Sequence, residues 1–482
     1  MAIRREKPSL EKLSMVGKDG SRQAIHPADV KGRFLRRRTI VYLLLIAIYV
    51  SLPFVEVGGR PAVFLDVGAR QFFLFGATFN AQDFWLVVFL LAAIGFSLFF
   101  VTAWLGRVWC GWACPQTVFL EGVYRRIERW IEGPREKRIR LDAAPLSLEK
   151  AARKAAKHAL FILVSLFLSH VLLSFFVSIG SLAEIVRQDP RENWVAFLWT
   201  MLVAAALYFN FAWFREQLCI VVCPYGRLQS ALQDEHSLII GYDTRRGEPR
   251  GKIRRSDRVS LPVVVGAPIQ AEEPAKGDCV DCNRCVVVCP TGIDIRNGLQ
   301  MECIGCARCI DACDDVMIKV GRPTGLIRYD SHNGLEGLPK KTVRPRLALY
   351  GAILLVACLG LVVGLGTRTP FEANLLRMRG APFLIGEASI RNQFELHLVN
   401  KNPDASSFRV QVVNGDDRGM KVTMPHEDVE LDSLQDYRLP IFVEVPKERF
   451  GGPFEVEVRV LDGGSERERT VRGTFLGPTA SR

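Results

Sequence analysis

The sequence contains no CxxCH motif, and this absence excludes the covalent attachment of a c-type haem. Only one of the seven histidines, His170, falls within a long apolar run, whereas a haem held by two histidines inside a membrane needs a second one. We expect His170 to pack or to form a hydrogen bond rather than to contact a quinol or a metal. Residues 367–482 contain no cysteine, so disulfides and thiolate-bound metals are excluded there. What the chain does have is long apolar runs and 13 cysteines, most of them in short motifs.

Five apolar runs are long enough to cross a bilayer as helices, which takes roughly 20 residues. The first follows the polar residues 1–38 and lacks a convincing cleavage site, so we expect it to be retained rather than removed as a signal peptide. Charged residues make up 24% of the chain, which predicts sizeable soluble parts beside the membrane domain. The predicted spans are Thr39–Val57, Phe84–Gly106, Ala159–Ala183, Trp194–Phe214 and Leu347–Gly366.

The net charge of +12 is distributed unevenly along the chain. Lys and Arg number 11 in residues 1–38, 12 in 105–158 and 20 in 215–346, but only two in each of the stretches 55–83 and 180–193. Cytoplasmic loops of membrane proteins carry such an excess of basic residues. The pattern therefore predicts that the three basic segments face the cytoplasm and that residues 367–482 lie outside. Because orientation accounts for the basicity, no nucleic-acid partner is needed to explain it.

Eight cysteines form a tandem motif, CVDCNRCVVVCPTGIDIRNGLQMECIGCARCIDAC, between Cys279 and Cys313. Each half reads C-x2-C-x2-C-x3-C, a spacing in which three cysteines bind one [4Fe–4S] cluster and the fourth reaches across to the other cluster. Structural zinc sites, the alternative, favour CxxC pairs separated by a long spacer. The second run has Asp314 where a proline is common. The predicted ligands are Cys279, Cys282, Cys285 and Cys313 for the first cluster, and Cys303, Cys306, Cys309 and Cys289 for the second.

A second cysteine motif, CxxxCP, occurs twice at the ends of predicted spans. One copy contains Cys110 and Cys114, and the other contains Cys219 and Cys223. Proline is favoured in the first turn of a helix, so Cys114 and Cys223 are predicted at helix N-caps, where the helix dipole lowers a thiol pKa. We expect the four sulfurs to converge. Soft thiolates suit Cu(I), but another cluster, zinc or simple packing remain alternatives.

Together with the stretch GYDTRRGEPRG, these motifs and their order resemble the CcoG/FixG/RdxA family of accessory proteins for cbb3-type cytochrome c oxidases. The resemblance covers nearly the whole chain. It implies a bacterial inner-membrane protein with two [4Fe–4S] clusters that reduces its substrate, Cu(II), to Cu(I). Electrons from an unknown donor would pass through the clusters to copper near Cys110, Cys114, Cys219 and Cys223. The implied partners are copper ions, the oxidase assembly machinery and a copper-transporting ATPase.

Two other functions remain open at this point. Membrane quinol dehydrogenases that feed periplasmic reductases also combine CxxxCP motifs with dicluster inserts. The missing c-type haem motif distinguishes this chain from such proteins, and we expect residues 1–38 to be too few for a flavin domain. The second alternative is a non-catalytic scaffold for oxidase assembly. The two costly clusters argue against it.

Residues 388–477 alternate apolar and polar positions, with turn residues between the runs, and predict a seven-stranded β-sandwich. The family resemblance implies an immunoglobulin-like fold for this segment. Met420, Met424 and His426 are expected at core and surface positions rather than in a copper site. Cys358, in the fifth span, is expected to be a small buried hydrophobe.

The predicted architecture is a multi-domain membrane protein. A five-helix transmembrane α domain carries an inserted ferredoxin-like α+β segment and a C-terminal all-β immunoglobulin-like sandwich. The predicted parts are a basic cytoplasmic segment 1–38, a membrane domain 39–234 with spans one to four, a linker and dicluster domain 235–346, span five 347–366 and a periplasmic domain 367–482.

Overall fold

The structure is a computed structural model of the chain. It describes residues 25–57, 60–68, 71–79, 83–252, 277–401, 405–413, 418–433, 435–463 and 467–478. Residues 1–24 of the predicted N-terminal segment and 253–276 of the predicted linker lie outside the described residues. The chain divides into two units, Met1–Asp66 with Val87–Gly360, and Val67–Leu86 with Leu361–Arg482.

Helices are the main elements of the first unit. In chain order the α-helices are α1 Arg33–Ser51, α2 Phe84–Leu105, α3 Val108–Trp112, α4 Pro115–Phe119, α5 Arg125–Glu132, α6 Arg135–Ala143, α7 Leu148–Leu173, α8 Ile179–Arg187, α9 Trp194–Phe209, α10 Pro224–Leu232, α11 Thr244–Gly247, α12 Arg284–Val287, α13 Arg308–Lys319, α14 His332–Leu335 and α15 Pro345–Gly366. A 3-10 turn, Leu52–Phe54, extends α1, and π-helical turns occupy Leu120–Tyr124, Asn210–Phe214 and Leu218–Val222.

Strands are short before residue 367 and longer after it. They are β1 Glu56–Val57, β2 Arg60–Pro61, β3 Val63–Asp66, β4 Gln71–Leu74, β5 Ala77–Phe79, β6 Ile239–Tyr242, β7 Ile327–Asp330, β8 Phe371–Arg377, β9 Leu384–Ile385, β10 Ser389–Asn400, β11 Ser406–Val412, β12 Lys421–Thr423, β13 Asp428–Leu431, β14 Asp436–Pro446, β15 Phe454–Asp462 and β16 Glu468–Phe475.

Five of the described helices are long and apolar enough to cross a membrane, as predicted. The second, fourth and fifth spans lie within two residues of their predicted bounds. The first helix runs over Arg33–Phe54 rather than Thr39–Val57, and the third over Leu148–Leu173 rather than Ala159–Ala183. Both helices begin in polar sequence that hydropathy alone does not assign to a span.

Helix α1 begins in the basic sequence RFLRRR because a distant carboxylate caps it. Gly32, at the N-cap, has no side chain to accept a hydrogen bond; instead Asp311 of α13 accepts the backbone N–H groups of Phe34 at 3.1 Å and Leu35 at 2.8 Å. A side chain at position 32 would overlap this carboxylate. The first N–H groups of a helix lack partners within it, and a negative charge beside them also complements the helix dipole. The dicluster segment is therefore attached directly to the first span.

Helix α7 begins earlier than predicted because its polar first turns are capped and ion-paired. The Ser147 hydroxyl accepts the Lys150 N–H at 3.2 Å. Lys154 and Lys157 then bind the buried Glu132 of α5 at 2.8 and 2.9 Å. The polar half of α7 thus packs on α5, and the helix ends at Leu173, before the predicted end of the span.

The dicluster segment is built around α12, α13 and an antiparallel strand pair. β6 pairs with β7, placing Ile240 opposite Tyr329. The buried apolar residues packed around the cysteines come from α13, from both strands and from the segments between these elements. They are Ile240, Tyr242, Ile293, Ile295, Ala307, Ile310, Met317, Leu326 and Ile327.

The second cysteine run has Asp314 where a proline is common, and the structure gives the reason. In the first cysteine run, α12 ends at Val287, and the Cys289–Pro290 pair follows outside the helix. In the second run, α13 continues through Asp314 as far as Lys319. A proline there would remove an interior helix hydrogen bond and clash with the preceding turn.

The second unit ends in a β-sandwich whose described strands number nine, β8–β16, rather than the predicted seven. One sheet has the order β12–β14–β10–β8, with β9 also paired to β10, and the other has the order β13–β11–β15–β16. The inward side chains of both sheets share one apolar core. The prediction missed β8, which follows shortly after the fifth span, and β9, which has only two residues.

Candidate electron-transfer site

The first cysteine-lined cavity lies between α12, α13 and the loop that precedes α12. Its volume is about 340 Å³, including the solvent at its mouth. Tyr242 of β6 and Arg296 also line it. The motif spacing assigns neither residue a role, although Tyr242 belongs to the stretch GYDTRRGEPRG. The cysteines of this first cavity are Cys279, Cys282, Cys285 and Cys313.

The second cavity also has a volume of about 340 Å³. Its walls are mostly apolar, and the Thr291 hydroxyl lies 3.3 Å from the sulfur of Cys289. Cys285 contributes to the walls of both cavities. The other cysteines of this second cavity are Cys289, Cys303, Cys306 and Cys309. The structure thus brings together both predicted sets of four, each with its crossing member, while iron ligation itself stays a prediction.

The loops of the two cysteine runs have the same backbone turns. Asp281 and Gly305, two residues after the first cysteine of each run, have φ values of 48° and 68°. Asn283 and Ala307, two residues further on, have φ values of 55° and 60°. Residues other than glycine rarely adopt this conformation, and it persists where the surroundings require it. The equivalent turns indicate that both loops curl around the same kind of group.

The chemistry of the two cavities fits [4Fe–4S] clusters better than single metal ions. Among the described residues, no group of three or more His, Cys, Asp or Glu side chains is placed to hold one ion. A cubane cluster instead spreads its four thiolates over four irons. Burial raises the pKa of Cys285, Cys303 and Cys313 to about 12, so these thiols need a positively charged cluster core to lose their protons. A cluster in each cavity would supply one-electron transfer.

The CxxxCP cysteines lie at the starts of helices, as the motif predicts. Cys114 is the N-cap residue of α4 and Cys223 that of α10, each followed by a proline in the first position. Cys110 lies in α3, and Cys219 lies in the π-helical turn before α10. The four thiols are close enough to influence one another's ionisation. The fold therefore brings the two copies of the motif together.

The prediction of a lowered thiol pKa is wrong for Cys114. Burial raises the pKa of Cys110 to about 11 and also raises the pKa of Cys114 and of Cys219. Two backbone N–H groups in the first turn of α4 do favour the Cys114 thiolate, but burial outweighs them. The amide nitrogen of the buried Gln229 lies 3.3 Å from the Cys110 sulfur. These thiols would therefore lose their protons only on binding a cation.

The second cavity and the first CxxxCP turn are in direct backbone contact. Gly111 follows Cys110, and a Cβ added to it would lie 2.7 Å from the carbonyl oxygen of Gly305 and 2.8 Å from that of Ile304. Cβ atoms essentially never come within 3.0 Å of such neighbours, so glycine is required at this position. Because Gly305 and Ile304 lie between Cys303 and Cys306, the loop of the second cavity touches the residue next to Cys110.

Arg107 connects the second CxxxCP motif to the same contact. Its guanidinium donates to the carbonyl oxygens of Met301 and Cys303, the latter at 3.2 Å, and to that of Gly226 in α10 at 2.6 Å. Gly226 packs on the carbonyl oxygen of Cys219, from which an added Cβ would be only 2.7 Å away. The second cavity and both CxxxCP motifs therefore form one connected site.

Known proteins share this combination of parts. Residues 214–332 match the family model of a 4Fe-4S dicluster domain, residues 83–136 that of a 4Fe-4S binding domain, and residues 361–478 that of the IG-like fold at the C-terminus of FixG. The nitrogen fixation protein FixG of Rhizobium meliloti (strain 1021) is 34% identical in an alignment of 502 positions that covers 93% of this chain and 92% of that protein. The chain belongs to the FixG/RdxA/RdxB family.

Two further relatives come from Cereibacter sphaeroides. Protein RdxB is 35% identical and covers 83% of this chain and 84% of its own length, and protein RdxA is 36% identical with coverages of 81% and 82%. A solved FixG-related protein from Vibrio parahaemolyticus matches 23% of this chain and 100% of that one, with 14% identity and a TM-score of 0.21. The family resemblance seen in the motifs is confirmed. This FixG-family protein is an iron–sulfur electron-transfer protein of the membrane.

A buried network of charges surrounds the site in this FixG-family protein. Glu121 accepts a hydrogen bond from Arg308, in the second cysteine run, at 2.6 Å, and another from Arg125, which also binds Glu216. Burial alone would raise the pKa of Glu121, but Arg125 and Arg308 outweigh it and lower that pKa to about 2. For Glu216, burial outweighs Arg125 and the pKa is raised. Motif spacing missed these residues; the available signal was the charged stretch EGVYRRIERWIE shortly after the first CxxxCP motif, which contains Glu121 and Arg125.

The histidines of the FixG-family chain lie outside this site. His170 is half-buried in α7, and its Nδ1 is hydrogen-bonded to the Leu166 carbonyl oxygen at 2.7 Å, as predicted. The longer α7 also contains His158, whose Nδ1 lies 2.9 Å from the Tyr208 hydroxyl. At 1.5 Å per residue the two histidines are about 18 Å apart along one helix, too far to hold one haem between them.

The remaining predicted residues play no part in the site. Cys358 is exposed on the surface of α15, so the prediction of a buried residue is wrong. Met420 and Met424 pack against the sandwich core, and His426 is exposed, in line with ordinary core and surface roles.

Proposed function

We propose that this protein carries electrons from the dicluster segment to copper at the CxxxCP cysteines and reduces Cu(II) to Cu(I) for assembly of a cbb3-type cytochrome c oxidase. The contact between Gly111 and Gly305 carries this proposal. It places the loop between Cys303 and Cys306 against the neighbour of Cys110, so the two parts of the site need no large movement to exchange an electron. Each Cu(II) takes up one electron and leaves as Cu(I).

The ligand chemistry supports copper at the CxxxCP cysteines. Sulfur ligands favour Cu(I) over Cu(II), so four thiols at one place stabilise the product of the reduction. The thiols are half-buried, and this burial raises the pKa of at least three of them. Copper binding would displace their protons. A donor set of this kind both binds the ion and makes its reduction more favourable.

A third [4Fe–4S] cluster is the second candidate for the CxxxCP cysteines. The family model of a 4Fe-4S binding domain covers residues 83–136, which include only Cys110 and Cys114. A cluster needs four cysteine ligands, and the second copy of the motif would supply the other two. The protein would then hold about twelve irons instead of about eight.

The test uses anaerobically purified protein, Cu(II) and a chelator that reports Cu(I). Cys110→Ser and Cys223→Ser should abolish Cu(II) reduction and leave about eight irons per chain, while Cys358→Ser, on the surface of α15, should change neither. Cys282→Ser should also lose Cu(II) reduction, but for a different reason: copper still binds, and the electron does not reach it. If the iron content falls from about twelve to about eight per chain in the two CxxxCP variants, these cysteines bind a third cluster rather than copper.

The same protein distinguishes the two other functions. A quinol dehydrogenase would oxidise quinol rapidly and leave Cu(II) unreduced, and a scaffold would do neither. In cells, variants of either cysteine motif should lower oxidase assembly, and added copper should partly restore it. The proposal also places residues 105–158 and 215–346 in the cytoplasm and the C-terminal sandwich in the periplasm, with an oxidase assembly factor or a copper-transporting ATPase as partner.

A further inference from the structure

Arg38 is a buried cation beside the second cavity. It follows Arg36 and Arg37, which are exposed, but its own side chain is only 1% exposed. Its Nε donates to the carbonyl oxygen of Gly111 at 3.1 Å and to the Tyr42 hydroxyl at 3.1 Å, and Nη2 also donates to that hydroxyl. Tyr42 in turn donates to the Gly111 carbonyl oxygen at 2.7 Å. Arg38 therefore lies at the contact between the cluster loop and the first CxxxCP turn.

The charge of Arg38 has no carboxylate of its own. No ion pair joins it to an acidic residue in the described part of the chain, and its Nη1 is buried without a hydrogen-bond partner. Glu121 is near but already binds Arg125 and Arg308. Cys306, of the second cavity, has the largest favourable electrostatic interaction with the guanidinium. A buried cation in this position needs a negative partner, which a thiolate-bound cluster provides.

The first cavity also has a cation beside it, but this cation is already paired. Arg296 acts on Cys285 more strongly than Asp294 does, and Asp314 is a negative neighbour of Cys313. The cation there, Arg296, is neutralised by Asp294 at 2.7 Å and by Asp281 at 2.6 Å. Cys282 is exposed to solvent. An electron added to a cluster in this cavity would meet a guanidinium that two carboxylates already neutralise, whereas one added in the second cavity would meet an unpaired guanidinium.

We propose that Arg38 raises the reduction potential of the second cluster above that of the first, so that electrons enter near the exposed Cys282 and leave beside Gly111. A cluster held by four thiolates is anionic and gains a further negative charge when it is reduced. A fixed cation nearby stabilises the reduced form more than the oxidised form. The difference in reduction potential thus favours electron movement from the solvent side towards the CxxxCP cysteines. This direction rests on the function proposed above.

The test is a redox titration of the two clusters, followed by electron paramagnetic resonance and carried out without copper. Arg38→Gln should make reduction of one cluster at least tenfold less favourable, a downward shift of about 59 mV for one electron, and leave the other unchanged. Cys306→Ser, which alters the signal of the second cluster, identifies which one moved. Arg38→Lys keeps the charge and should restore most of the potential.

Arg344→Gln is the matched control, since Arg344 is also buried at the start of a span but binds Asp234 and the Ala103 carbonyl oxygen instead of lying near a cluster. It should move neither potential. Unchanged potentials in Arg38→Gln, or equal shifts in the Gln and Lys variants, would overturn the proposal. If Arg38→Gln fails to assemble the second cluster, Arg38→Lys decides: assembly at nearly the original potential supports the role of charge, and failure overturns it. Because no copper is present, the outcome is independent of Cu(II) reduction.

Discussion

Replacing Gly111 by alanine tests whether the cluster loop must touch the CxxxCP turn. The added methyl would lie 2.7 Å from the Gly305 oxygen, and ordinary contact begins at 3.4 Å, so the loop would have to move by about 0.7 Å. Both crowded oxygens belong to the backbone, so no side chain can rotate away. Overpacking of this kind costs about 1–3 kcal/mol. The change therefore separates the two parts of the site without altering any thiol.

We expect Gly111→Ala to keep about eight irons per chain and to lose Cu(II) reduction at least tenfold, since a displacement of about 1 Å between reacting groups can cost about 100-fold in rate. The melting temperature in detergent should fall as well. Gly95→Ala is the control, because Gly95 lies in α2 and an added methyl there would meet nothing within 4 Å. The assay follows Cu(I) formation after the clusters have been reduced chemically, so that the supply of electrons does not limit the rate.

Two results would contradict this expectation. If Gly111→Ala and Gly95→Ala reduce Cu(II) equally fast and are equally stable, the backbone contact does not carry the electron. Slow reduction together with lost iron would also count against it, because the change would then act on cluster binding.

The remaining predictions concern ligation and topology. Cys289→Ser should empty the second cavity rather than the first, because the fourth cysteine crosses over, and iron should fall from about eight to about four per chain; stoichiometric zinc in the unmodified protein would contradict the assignment. Alkaline phosphatase fused after Pro478 should be active and the same enzyme fused after Asp243 inactive, since basic segments stay in the cytoplasm. The reverse pattern of activity would contradict the proposed orientation.

Much of the architecture could be predicted because it is encoded locally. The tandem spacing of cysteines fixes which thiols a short loop can bring together, and the two cavities contain the predicted sets. The apolar runs of α2 and α9 are bounded by polar or turn-forming residues, so the ends of these two helices could be predicted from the sequence. The start of α1 was not, because the carboxylate that caps it, Asp311, lies more than 270 residues further along the chain.

The ionisation of the CxxxCP thiols could not be predicted for a related reason. The helix N-termini at Cys114 and Cys223 are local features, and the motif located them correctly. Burial depends on distant segments such as α10, whose Gln229 covers Cys110. Because burial outweighs the helix terminus, the pKa of Cys114 is raised, whereas its position at the helix terminus alone predicts a lowered pKa. The network around Glu121 is likewise made by residues far apart in sequence.

Three independent contacts hold the dicluster segment at the membrane domain. Asp311 caps α1, Gly305 packs on Gly111, and Arg308 forms a buried ion pair with Glu121. They are of different physical kinds, and each joins the second cysteine run to a different membrane-side element. A ferredoxin that delivers electrons by diffusion needs a surface that can dissociate, whereas backbone packing and buried charges resist separation. The electron is therefore expected to cross a fixed distance between the second cavity and the CxxxCP cysteines. Small steric changes at this contact should alter the rate of that transfer more than changes at the exposed Cys282 do.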